Sequence, residues 1–204
     1  MRLASTLRTT SVAEYPNWFE VTAKQNFERF LPEFKDEEQL KFLQLGAFTG
    51  DASVWMATNI LSDIHKHRLF DVDTWRGSDE PDHKSMDFND VYETYIAKVK
   101  PTHLVTAYRM TTVEFLTSDK CRFGNYDFIY IDADHTTVGV LLDAELSWPV
   151  LKRGGIMAFD DYTWQHESGD PRLAPQVGID LFLHRHQGEY ELLAKNTQVW
   201  IKKH

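Results

Sequence analysis

Tyr126-Asp127-Phe128-Ile129-Tyr130-Ile131-Asp132-Ala133-Asp134-His135 decides the reading of this chain, together with Gly154-Gly155-Ile156-Met157-Ala158-Phe159-Asp160-Asp161 further on. Each stretch is a short apolar, β-rich run that ends abruptly in acids. Strands buried on both faces of a parallel sheet read this way. Ligands bind beyond the carboxyl ends of such strands. Two neighbouring strands of this kind bring Asp132, Asp134, His135, Asp160 and Asp161 to one rim. Like charges so close are costly unless a cation, a proton or a hydrogen-bond donor balances them. The pattern is that of a catalytic metal site.

Outward from this pair, strand and helix patterns alternate. Apolar runs over Leu40–Phe48, His67–Asp73, Leu104–Tyr108, Phe128–Asp132 and Ile156–Asp160 predict strands. Helical patterns cover Asp51–His65, a segment ending at Lys98, Thr112–Ser118, His135–Leu151 and Val177–His186. Short strand–helix connections imply a doubly wound parallel sheet. Two last strands, Tyr190–Ala194 and Gln198–Lys202, are joined by only three residues. A link that short requires a hairpin, so the seventh and final strand runs antiparallel. Before the sheet, Val12–Leu31 carries apolar residues at helical spacing. The expected division is a helical lid over residues 1–39 and an α/β domain over 40–204.

Bulk properties set limits. A chain of 204 residues with 42% hydrophobic content suffices for one core. A single cysteine, Cys121, excludes an internal disulfide and favours a reducing, cytoplasmic setting. The first eight residues hold no apolar run of signal-peptide length, and no membrane span is expected. The net charge of −9 and the lack of a dense Lys/Arg cluster argue against nucleic acid as a partner. Lys195, Lys202 and Lys203 read as a solvated edge strand. Self-assembly into a homo-oligomer stays open.

Gly46-Ala47-Phe48-Thr49-Gly50 follows the first strand and opens a helix. Glycines there let backbone approach a ligand, and the helix start offers free N–H groups. The spacing is neither the dinucleotide fingerprint nor a P-loop. Asp73, at the tip of the second strand, suits ribose hydroxyls, while Asp71 is left to solvent or to the helix layer. Trp75, Trp164 and His166 lie on rim loops, where they either floor a substrate or pack into the core.

These segments resemble a known family. Leu43-Gln44-Leu45-Gly46-Ala47-Phe48-Thr49-Gly50 is similar to motif I of S-adenosylmethionine-dependent class I methyltransferases, especially of the catechol O-methyltransferase type. Val72-Asp73-Thr74-Trp75-Arg76-Gly77 resembles the segment that follows it. Ile131-Asp132-Ala133-Asp134-His135, Leu151-Lys152-Arg153-Gly154-Gly155 and Asp160-Asp161-Tyr162 resemble a signature of small bacterial and phage methyltransferases related to metal-dependent sugar O-methyltransferases. The resemblance spans about residues 40–203. It implies a Rossmann-like, mostly parallel seven-stranded sheet.

It also implies S-adenosylmethionine bound by Gly46, Ala47, Phe48, Gly50, Ser53, Asp73, Thr74, Met110, Thr111 and Asp132. Mg²⁺ or Mn²⁺ would sit on Asp132, Asp160 and Asp161. The implied reaction is O-methylation of a small hydroxylated molecule such as a sugar or glycoside, with His135 or Asp134 as the base. Three departures stand out: Gln44 replaces an acid, Ala52 occupies the usual Ser position, and Arg109-Met110-Thr111-Thr112 replaces Gly-Asp-Ser. A metal-independent methyltransferase and a binding module that has lost catalysis are the rival readings.

Overall fold

The computed structural model describes residues 15–78, 81–121, 125–166 and 168–204. Seven strands form one sheet: β1 (Lys41–Leu45), β2 (Arg68–Asp73), β3 (Val105–Arg109), β4 (Tyr126–Ile131), β5 (Leu151–Phe159), β6 (Tyr190–Lys195) and β7 (Val199–Lys203). Their order is β3-β2-β1-β4-β5-β7-β6. β1 pairs in parallel with β2 and β4, and β7 runs antiparallel between β5 and β6. The doubly wound sheet and its antiparallel last strand are as the sequence predicts. The chain reverses direction in sheet order at β1/β4, and the rim beside this switch is where ligands of such sheets bind.

Period-two alternation along the strands builds two cores. Leu43, Ile129, Ile131, Met157, Phe159, Val199 and Ile201 face one layer. Phe42, Phe128, Tyr130, Ile156, Ala158 and Trp200 face the other. Helices α1 (Lys24–Phe30), α2 (Asp51–Asn59), α3 (Pro81–Lys84), α4 (Phe88–Val99), α5 (Thr112–Leu116), α6 (Thr137–Ser147) and α7 (Pro175–Arg185) complete the layers.

Several boundaries differ from the sequence reading. α2 stops at Asn59, six residues short, because Ile60 leaves helical geometry and Leu61 turns into the core. β5 starts early, at Leu151: a bulge around Gly154, whose φ is +79°, shifts its register against β4 and extends the pairing. β7 is not an edge strand. Its Lys202 pairs with Glu33 at 3.0 Å, and Lys203 donates to the carbonyls of Trp148 and Leu151.

The N-terminal segment divides in two. Of its predicted helix, residues 12–14 lie outside the described residues. A π-helical turn over Phe19–Ala23 leads into α1. Phe27 is fully buried, with its ring 4.9 Å from that of Tyr130 and 5.2 Å from that of Trp200. That helix is therefore part of the sheet's own core. Trp18, by contrast, rests on Phe48 of the glycine loop at 4.8 Å. No helix among the described residues is long and apolar enough to cross a membrane.

Candidate active site

The loop after β1 is held from three sides. Gly46 N–H donates to the Val72 carbonyl at 2.9 Å. Gly46 has a φ of +84°, and a Cβ there would stand 1.9 Å from the Asp132 carbonyl oxygen. Only glycine lets this loop lie against the tip of β4. Gln44, buried, donates to the Gly46 carbonyl at 2.8 Å and accepts from Ser53 Oγ at 3.1 Å. Ser53 is fully buried behind the loop, in its support. Gly50 opens α2 at φ +83°, where a Cβ would meet the Tyr95 ring at 2.9 Å. Phe48 is a non-glycine residue at φ +44°, a conformation that sterics penalise and that clusters at functional sites.

Asp73 completes the clamp. Its Oδ2 accepts from the N–H groups of Ala47 and Phe48 at 2.8 and 3.0 Å, and its Oδ1 from Trp75 N–H at 2.7 Å. The acid is bound to the glycine loop, so ribose hydroxyls there would have to share its oxygens. Trp75 is core, 1% exposed, and donates its indole N–H to the Phe48 carbonyl at 2.8 Å. Of the two surroundings expected for Asp71, it takes the helix layer: it is buried and accepts from Tyr95 Oη of α4 at 2.8 Å. Burial pushes its carboxyl up to about 7 against the pull of its hydrogen bonds. Beyond Asp73, Thr74, Met110 and Thr111 line a cleft of about 430 Å³. Thr111 also caps α5, accepting from Glu114 N–H at 3.2 Å.

The acids stand at the tips of β4 and β5, tied to the loop by Asp132 N–H to the Leu45 carbonyl at 2.8 Å. His135 Nε2 lies 2.9 Å from Asp161 Oδ2 and 4.0 Å from Asp132 Oδ1. Asp161 sits at φ +57°, another strained position. Asp160 is buried; its Oδ1 accepts from Asp161 N–H at 2.9 Å, and its Oδ2 takes a short hydrogen bond from Tyr130 Oη. Burial first and the Asp161 charge second push the Asp160 carboxyl up to about 6. Burial and then the charges of Asp160 and Asp161 drive Asp132 well above the ordinary range. Asp134 is exposed, and its Oδ1 accepts from Thr136 N–H at 2.8 Å. Thr136 in turn caps α6, so His135 does not. The Trp164 ring lies 5.2 Å from that of His135.

One ligand atom from each of Asp132, His135 and Asp161 falls within 4.8 Å of the others. Carboxylates that raise one another's proton affinity are the chemistry a cation relieves, and oxygen donors suit a hard divalent ion. The donors present fit such an ion. Of the three expected ligands, Asp132 and Asp161 converge, with His135 between them, while Asp160 is held back on Tyr130. Tyr130 and Gln44 were not among the predicted site residues. Their signal in the sequence was a polar group inside an otherwise apolar, buried strand.

Solved structures share the architecture of this chain. Its fold resembles a cofactor-bound protein of MTB, Rv0187, at 14% identity and a TM-score of 0.60, covering 88% of this chain and 79% of that one. It also resembles an O-methyltransferase from Bacillus cereus solved with SAH, at 15% identity and a TM-score of 0.58, covering 95% and 94%. At such identities the likeness is one of fold. No curated protein matches the sequence. The family model described as a methyltransferase domain matches residues 43–162, more than half of the 204-residue chain. This chain belongs to the methyltransferase-domain family.

Proposed function

We propose that the protein is an S-adenosylmethionine-dependent O-methyltransferase acting on a small, uncharged hydroxylated metabolite such as a sugar or glycoside, with Mg²⁺ or Mn²⁺ at the acidic rim. The observation that carries this reading is the placement of His135 between Asp132 and Asp161, on the same rim as the glycine loop. Gly46, Ala47, Phe48, Gly50 and Asp73 would hold the ribose and methionine of the cofactor, and Thr74, Met110 and Thr111 its adenine side. Ser53 acts through Gln44 on the loop. The Trp18–Phe48 contact supports reading residues 15–18 as the near edge of a lid.

S-adenosylmethionine supplies a sulfonium methyl group for in-line displacement by an oxygen, and a divalent cation acidifies that oxygen's hydroxyl. Asp132 and Asp161 would hold the cation, with Asp160 deepening the negative potential behind them. His135 is the base: its imidazole would take the hydroxyl proton, and Asp161, 2.9 Å from Nε2, would steady the resulting imidazolium. Asp134 is committed to the α6 entry turn. Trp164, beside His135, offers a sugar an aromatic wall. A rim of three carboxylates disfavours an anionic acceptor.

Transfer of a labelled methyl group from S-adenosylmethionine to a panel of sugars, glycosides and catechols, with Mg²⁺ or EDTA, tests the reading. Transfer that EDTA abolishes is expected. Transfer unaffected by EDTA would favour a second reading, in which the direct His135–Asp161 contact serves alone as the base. No transfer to any hydroxyl, with methylation of nitrogen or carbon acceptors instead, contradicts both.

A further inference from the structure

The cleft at the tips of β2 and β3 carries more positive charge than an uncharged adenosine requires. Besides Thr74, Met110 and Thr111, its walls are Arg76, Arg109, Lys120 and a single acid, Glu114. Three cations against one carboxylate contrast with a chain whose net charge is −9.

The acid is already engaged. Glu114 Oε2 accepts from Thr111 N–H at 2.9 Å and from Thr111 Oγ1 at 2.8 Å. These bonds first, and the Arg76 charge after them, hold its carboxyl below the usual range. Among the described residues, none of the three cations forms a salt bridge. Two are oriented by rings instead. The Arg109 guanidinium lies 4.8 Å from the Tyr92 ring centre, with Nε and Nη2 at 3.4 and 3.5 Å from the carbonyls of Thr74 and Trp75. Lys120 Nζ stands 5.7 Å from the Tyr108 ring centre. Ring contacts fix a cation without neutralising it, so its charge remains for an anion.

The rim is therefore polar end to end, positive at β2–β3 and negative at β4–β5. We infer that the cleft also takes an adenine nucleotide, its nucleoside in the cofactor's adenosine position and its phosphate met by Arg76, Arg109 and Lys120. This rests on reading the cleft as the adenosine subsite. A phosphate carries between one and two negative charges at neutral pH and forms charge-assisted hydrogen bonds with such groups. The acids at the other end repel it, so the nucleotide competes with the cofactor and does not enter the acceptor site.

Calorimetry on the full chain tests this with S-adenosylhomocysteine, adenosine, the 2′-, 3′- and 5′-monophosphates of adenosine, uridine 5′-monophosphate and inorganic phosphate. At least one adenosine monophosphate should bind about tenfold more tightly than adenosine at about 50 mM salt, lose most of that gain at about 300 mM, and be displaced by S-adenosylhomocysteine. Arg76→Gln combined with Lys120→Gln, both at exposed positions, should bring that nucleotide down to the level of adenosine. Binding of S-adenosylhomocysteine without a nucleotide preference over adenosine would overturn this inference alone. Equal binding of uridine monophosphate or of inorganic phosphate would overturn it as well. No binding of S-adenosylhomocysteine sinks the cofactor reading, and this inference with it.

Discussion

His135 Nε2 stands 2.9 Å from Asp161 Oδ2, so one contact joins the loop after β4 to the loop after β5. The pair makes the imidazole a base whose protonated form is stabilised in place. His135→Gln should lower kcat about 10²–10⁴-fold, while S-adenosylhomocysteine affinity stays within about twofold, since its Nε2 is turned to Asp161 and Asp132. Steady-state kinetics beside calorimetry read the two effects separately. A parallel loss of both would show that His135 only supports the fold.

Gly46→Ala should be among the most damaging single substitutions. The added methyl meets the Asp132 carbonyl at 1.9 Å, on a backbone with φ +84°. Overpacking and left-handed strain together cost roughly 2–4 kcal/mol. Gly154→Ala is the control: its φ is +79°, but nothing lies within 4 Å of the new methyl. Urea unfolding of both variants separates the clash from the backbone strain. Equal destabilisation would remove the steric argument.

Asp71 makes stability depend on pH. Its carboxyl titrates near 7 when folded, because burial disfavours the charge, and near 3.8 when exposed. A raised folded value favours the native state fully below about pH 4, and that advantage is lost as pH rises through 7. Asp143, buried and accepting from Thr112 Oγ1 at 2.5 Å, is likewise pushed up to about 7. Between pH 5 and 8 the unfolding free energy should therefore fall, and Asp71→Asn should reduce that fall by about 1–3 kcal/mol. Urea midpoints at the two pH values measure it. A slope unchanged by the substitution would mean that Asp71 is ionised at low cost.

The strands were legible because apolar runs such as Phe128–Ile131 and Ile156–Phe159 sit in a sheet covered on both sides, where burial and strand pairing agree. The hairpin was legible from the length of one link. Less could be read where side chains choose between partners. Nothing in the spacing tells that Asp73 accepts from Ala47 and Phe48 N–H groups, or that Asp160 Oδ2 is taken up by Tyr130 Oη. Asp71 is a partial case: an acid inside the run Leu69–Val72 signals a buried partner, and Tyr95 supplies it from a helix 24 residues away. The cationic wall of the cleft was invisible because Arg76, Arg109 and Lys120 come from three separate loops and strand ends.

A cation at Asp132 and Asp161 should appear as thermal stabilisation. Mg²⁺ at about ten times its dissociation constant adds roughly 1.4 kcal/mol, or about 3–5 °C for a domain of this size. Asp132→Asn and Asp161→Asn should each abolish the shift. Asp132→Asn should also raise the melting temperature without metal, since the amide carries no ionisable group for burial and the neighbouring Asp160 and Asp161 to penalise. Equal Mg²⁺ shifts in all three proteins would place the ion elsewhere.

Binding of S-adenosylhomocysteine, followed by calorimetry, tests the central claim most directly, because it needs neither the acceptor nor the metal. The wild-type chain should bind one equivalent with a dissociation constant on the order of micromolar. Asp73→Ala, which releases the Ala47 and Phe48 N–H groups, should weaken binding at least about tenfold. No heat at millimolar ligand, or equal affinity in the variant, would contradict the assignment of this rim to a methyl donor.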